Sequence, residues 1–187
     1  MLGWIALAIV VVVLLVGVAL FYNRFVSLRQ QVRAAYSDID VQLKRRHDLI
    51  PNLIETVKGY AAHERGVFNE VTKARADAIA AGAEPPAERA TAETALSGAL
   101  KSLFAVAEAY PQLQAVQEFK DLSSNLTATE DTLQYARRYY NAQVRDYNTA
   151  IASFPGLVVA PLMGFTPYQF FEMEAPADRE LPQVTFS

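Results

Sequence analysis

The chain has 187 residues, with 17 Lys and Arg against 20 Asp and Glu, a formal net charge of −3 and no cysteine. That balance argues against general nucleic-acid binding, which needs a basic face to displace phosphate counterions. Lack of cysteine excludes a lipidated lipoprotein start and a cysteine nucleophile, and is compatible with a reducing compartment.

The first charged side chain is Arg24, and the segment Leu2–Tyr22 before it is apolar almost without interruption. About 20 such residues in a helix span the roughly 30 Å of hydrocarbon in a bilayer. Trp4 near one end and Phe21 and Tyr22 at the other suit the aromatic belts of the two interfaces. A signal peptide would have a basic first region and a shorter apolar stretch, and a soluble core helix of this length would have a polar face. The pattern predicts a single-pass anchor over residues 1–22, with the bilayer as a partner. Arg24, Arg29 and Arg33 follow the span, and Lys44-Arg45-Arg46 lie a little beyond. Because Lys and Arg are retained on the cytoplasmic side, the expected arrangement is a short outside N-terminus and a cytoplasmic domain at the cell membrane. Asp38 and Asp40 weigh lightly in that rule, and Lys44-Arg45-Arg46 itself reads as a solvated helix face.

Past the span, Leu28, Val32, Ala35, Ile39, Leu43, Ile50, Leu53, Val57, Ala61, Phe68 and Val71 recur at steps close to three and four, the seam of an amphipathic helix. Pro51 removes one hydrogen bond and crowds the carbonyl four residues back. The phase resumes beyond it, which predicts a kink at Pro51 and a first helix running to about Ala80. Counted from residue 24, such an arm reaches roughly 85 Å at 1.5 Å per residue. Ala81-Gly82-Ala83-Glu84-Pro85-Pro86 is a turn signal, followed by an Ala-rich helix from about Ala87 to Tyr110. Pro111 opens a third helix, whose seam runs from Leu113 to Ile151 and stops before Phe154-Pro155-Gly156.

Helices joined by short connections pack antiparallel. The fold class is all-α: one transmembrane helix, then an elongated up-and-down bundle or antiparallel coiled coil over residues 23–154. Residues 155–187 form an irregular tail, since Pro155, Pro161, Pro167, Pro176 and Pro182 preclude long helices. Leu157-Val158-Val159, Phe165 and Tyr168 to Phe171 are nevertheless too apolar for a free tail. The tail is expected to cover the bundle, a neighbouring subunit or the lipid interface, in that order.

Several strings resemble the LemA family of bacterial membrane proteins: Asp38-Ile39-Asp40-Val41-Gln42-Leu43-Lys44-Arg45-Arg46, Asp48-Leu49-Ile50-Pro51-Asn52-Leu53, Leu103-Phe104-Ala105-Val106-Ala107-Glu108-Ala109-Tyr110-Pro111, and Tyr140-Asn141 with Tyr147-Asn148. The resemblance covers essentially the whole chain, with Tyr36 standing where a tryptophan is usual. It implies a helical bundle tethered by one helix with its N-terminus outside, and brings no catalytic residues.

The residues that carry chemistry are few. His47 and His63 lie about 16 residues apart, about 24 Å along a straight helix and too far to share one ion. His63-Glu64 matches the start of His-Glu-x-x-His, but Val67 stands where the second His is required. The histidines therefore read as polar helix-surface residues. Asp38, Asp40, Asp48, Glu55 and Glu64 have basic neighbours and read as helix-supporting ion pairs such as Asp40 with Lys44. No serine stands in a nucleophile-elbow context. Tyr140-Asn141 and Tyr147-Asn148 sit one heptad apart; with Asn52 they predict a polar packing layer near Pro51. No cofactor is implied. The functional expectation is a non-enzymatic scaffold that self-associates or binds another membrane protein. Alternatives are an assembly that organises or remodels the bilayer, and an enzyme with an unrecognised carboxylate site.

Overall fold

The structure, a computed structural model, describes residues 1–172. Pro176 and Pro182 lie outside the described residues.

Helix α1 spans Leu2–Lys58. Its first part has no proline and no polar side, and the large side chains from Leu2 to Leu20 stand exposed. From Phe25 onward the same helix acquires a buried stripe: Phe25, Val32, Ala35, Ile39, Leu43, Ile50, Leu53 and Val57. The exposed all-apolar surface thus gives way within one helix to a three-and-four seam packed in the bundle.

The helix continues through Pro51. A proline there has no N–H for the carbonyl of His47, four residues back. The Arg75 Nε donates to that carbonyl at 2.8 Å, so a side chain from another helix supplies the missing hydrogen bond. The helix predicted to reach Ala80 instead ends at Lys58, and a turn leads into α2, Arg65–Ala80. Gly59 is a poor helix former, and the amides of Tyr60 and Ala61 both bond back to the Val57 carbonyl at 3.0 and 2.9 Å. Ala61 stays buried in the turn, so the hydrophobic rhythm runs on across the break and conceals it. The Lys58 ammonium lies 5.6 Å from the Phe68 ring centroid. With His47 opposite Arg75 and Lys58 opposite Phe68, α2 folds back antiparallel to the end of α1.

A 3-10 turn at Ala81–Ala83 leads to α3, Pro86–Glu108, which starts on a proline as the first helical position favours. The third predicted helix is divided: α4 covers Pro111–Ala115, and α5 runs Gln117–Ala152. Val116 between them is extended, at φ −72° and ψ 125°, a conformation that a β-branched residue adopts readily. The side-chain amide of Gln114 donates to the Glu108 carbonyl at the end of α3, 3.1 Å away. The seam of α5 matches its periodicity, with Phe119, Leu126, Leu133, Ala136, Tyr140, Val144, Tyr147 and Ile151 buried.

Contacts divide the described residues into two units, Met1–Arg46 with Leu126–Phe170, and His47–Asn125 with Phe171 and Glu172. Helices α1 and α5 contribute to both. The tail predicted to be irregular contains α6, Gly156–Leu162. Gly156 is there for lack of a side chain: a Cβ would collide with the Ala150 carbonyl oxygen and press on Phe25. Gly164, at φ +72°, turns the chain out of α6, and the Phe165 amide bonds back to the Ala160 carbonyl at 3.0 Å. Residues 164–170 then run as an extended strap within the first unit.

Two substitutions test these joints. Gly156→Val should destabilise the first unit by about 1–3 kcal/mol through overpacking, whereas Gly98→Ala, at an exposed helical site with free space for a Cβ, should stabilise by about 0.5–1 kcal/mol. Thermal unfolding in detergent, followed by circular dichroism, distinguishes the two signs. Arg75→Met should cost about 1–3 kcal/mol by leaving the His47 carbonyl unpaired. That loss should shrink in a Pro51→Ala background, where the helix regains its own donor; equal losses in both backgrounds would refute the pairing.

Candidate functional site

The polar residues of α5 form the most organised cluster in the first unit. Tyr140 Oη donates to the Gln169 carbonyl at 2.8 Å, and Tyr147 Oη to the Thr166 carbonyl at 3.0 Å. Asn148 grips one residue twice: its Nδ2 donates to the Tyr168 carbonyl, and its Oδ1 accepts from the Tyr168 amide, both at 2.9 Å. Their spacing places these side chains along one stripe of α5, where they meet backbone groups of the strap. Asn141 is buried beside them. The layer that sequence reasoning sets near Pro51 is thus a clamp on the strap, because the strap supplies the carbonyls that the hydroxyls need. Asn52 is not a packing residue: its side chain is exposed, and its carbonyl accepts from Thr56 Oγ1 at 2.9 Å.

Aromatic packing reinforces the clamp. Tyr36 lies 5.4 Å from Tyr140 between ring centroids, and Tyr168 meets Tyr147 edge-on at 5.3 Å. Burial, with the Tyr36 and Tyr168 phenols alongside, holds the Tyr140 phenol well above its ordinary value of 10.0. Tyr147 is raised by burial and by Tyr168, while Arg29 and Arg33 pull it the other way. Both hydroxyls act as hydrogen-bond donors to the strap carbonyls.

The arginines predicted to set topology also hold the strap. The Arg29 guanidinium lies 5.1 Å from the Phe165 centroid, within cation–π range, and Arg33 Nε donates to Tyr168 Oη at 3.4 Å. Phe165 in turn packs edge-on against Tyr22 at 5.8 Å and Phe25 at 5.4 Å, and Phe21 lies 6.2 Å from Phe25. Arg24 lines a cleft of about 400 Å³ with Phe21, Arg145, Asp146, Ser153 and Phe154. Leu2 and Trp4, at the far end of α1, are exposed.

In the second unit His47 is buried, contrary to its reading as a surface residue. Its Nε2 lies 2.8 Å from Glu93 Oε1, and Glu93 is wholly inaccessible to solvent. Removing one partner from such a pair strands the other without compensation, which makes it a packing constraint on how α3 meets α1. Glu93 was legible in principle, since it occupies a seam position between Ala90 and Leu96, where an apolar residue is the rule. In the first unit Arg46 is also buried, 3.4 Å from Glu130, while Lys44 and Arg45 are exposed as a solvated face requires. His63, Asp38, Asp48 and Glu55 are exposed and Asp40 and Glu64 partly so. Among the described residues no group of three or more His, Cys, Asp or Glu could hold a metal ion.

The features define an all-α bundle whose first helix begins with a segment long and apolar enough to cross a membrane. Residues 35–186 match the model of the LemA family, and the chain belongs to that family. It is similar to magnetosome protein MamQ 2 of Paramagnetospirillum magneticum, with 28% identity over 188 residues, covering 88% of this chain and 68% of the relative. With MamQ of Magnetospirillum gryphiswaldense the identity is 26% over 189 residues, covering 87% of this chain and 70% of that one. Protein LemA of Metamycoplasma hominis is 25% identical over 134 residues, 71% of this chain and 60% of its own length.

If the clamp holds the strap, Asn148→Ala should cost about 1–3 kcal/mol and speed proteolytic cleavage between Gly164 and Phe170. An unchanged cleavage rate would mean that the strap is held by its aromatic contacts alone.

Proposed function

We propose that this LemA-family protein is a single-pass membrane scaffold, with its bundle in the cytoplasm, that acts without catalysis by associating with copies of itself or with another membrane protein. The observation that carries the reading is α1 itself. One helix begins with an exposed, uncharged apolar surface and continues, with no break in its backbone, as a core helix of the bundle. An anchor joined in this way orients the domain as well as tethering it. The excess of arginine at residues 24, 29 and 33 supports the cytoplasmic placement. On the outward side of α5, Tyr135 and Tyr139 are exposed and stacked, 6.4 Å between centroids with rings 6° apart. Aromatic side chains of this kind, half apolar and tipped with a hydroxyl, are favoured in protein interfaces.

A photo-crosslinking residue at Tyr139 should capture a second copy or a membrane protein in living cells, and the purified protein should exceed monomer size in detergent. A monomer in detergent with no adduct in cells would sink the proposal. In the same cells a cysteine at Asp131 should be shielded from membrane-impermeant maleimide until the cells are opened.

A further inference from the structure

Helix α6 is built with its bulk on the outside. Gly156 and Ala160 face the bundle and are buried. Phe154, just before the helix, and Leu157, Val158 and Leu162 are exposed, Phe154 at 86% and Leu162 at 84%. At 100° per residue Leu157, Val158 and Leu162 fall within about 140° of one another on the outer side of α6, and Phe154 adds its ring in the turn just before the helix. In water the exposure of so much apolar surface is unfavourable. It is also uncharged: no Asp, Glu, Lys or Arg occurs between Asp146 and Glu172.

Two contacts fix the height of α6 along α1. Gly156, at its start, lies against Phe25, and Phe165, three residues past its end, packs on Tyr22 and Phe25. These attachment points fall at the last residue of the apolar segment and less than one helical turn beyond, about 5 Å at 1.5 Å per residue. The headgroup layer on each side of a bilayer is about as thick, roughly 5–7 Å. The apolar side of α6 is therefore continuous in level with the end of the apolar segment. Arg24 and Arg145 share a cleft with Phe25, Asp146, Phe154 and Gly156, which places two cations beside the attachment of α6.

We propose that α6 is a second membrane contact, a short interfacial helix that seats Phe154, Leu157, Val158 and Leu162 at the boundary between headgroups and acyl chains beside the span. Helices that lie in the interface combine an apolar face toward the acyl chains with cations nearby for anionic lipid. The strap, clamped by Tyr140, Tyr147 and Asn148, then holds α6 at that level. The contact adds a second foot to the anchor and limits rotation and tilt of the bundle, a role distinct from that of the span.

The inference rests on the reading of residues 2–22 as a bilayer span, and the test separates the two. The chain has no cysteine, so single cysteines at Leu157, Leu162, Val12 and Tyr135 can each carry an environment-sensitive fluorophore. The full chain is reconstituted in vesicles of phosphatidylcholine and phosphatidylglycerol, with or without brominated acyl chains. Labels at Leu157 and Leu162 should emit to the blue of the Tyr135 label and be quenched by bromolipid at least half as strongly as the label at Val12. Water-like emission at Leu157 and Leu162 with Val12 quenched would overturn the foot and leave the span standing. Blue-shifted but unquenched emission there would mean that a second protein copy covers α6, which also overturns it. An unquenched label at Val12 would remove the span and the foot together.

Discussion

Backbone hydrogen bonding along α1 is the constraint from which the rest of the structure follows. Lipid offers no partner to an amide or a carbonyl, so a chain that crosses a bilayer must satisfy those groups within the helix. An uninterrupted apolar segment from Leu2 to Tyr22 meets that demand. The one proline of α1 stands much further on, at Pro51, where α2 runs alongside and Arg75 can reach the carbonyl left without a donor. The same proline within the first 22 residues, where the side chains around it stand exposed, would have no neighbouring helix to supply a donor. The position of the defect is thus matched to the position of its repair.

A comparable economy of polar groups organises the other end of the chain. The strap after α6 belongs to no helix, and its carbonyls and amides need partners once they pack against the bundle. Tyr140, Tyr147 and Asn148 supply them from one stripe of α5. Arg29 faces the Phe165 ring and Arg33 donates to the Tyr168 hydroxyl of the same strap, so arginines that follow the apolar segment also take part in packing. Burial moves the ionisation of both phenols further up from its ordinary value.

The second unit relies on a different device, an ionisable pair set into an apolar seam. His47 and Glu93 meet at 2.8 Å in a region closed to solvent. Buried pairs of this kind add little to net stability compared with apolar replacements, but they penalise any packing in which the partners fail to meet. Here the pair selects one register of α3 against α1.

Local features of the sequence determined the helical class, the extent of the apolar segment, the seams of α1 and α5 and the turn before α3, because each depends on side-chain periodicity or on proline and glycine at fixed offsets. Periodicity also misled where its rhythm outlasted the helix: Ala61 stays buried through the turn after Lys58, and Val116 interrupts a seam that continues on both sides. Tertiary structure alone decided which polar residues meet. That Tyr147 pairs with Thr166, Arg75 with the His47 carbonyl and His47 with Glu93 depends on chain segments 19, 28 and 46 residues apart. Partners at that separation are brought together by packing of whole helices, and no local spacing encodes them.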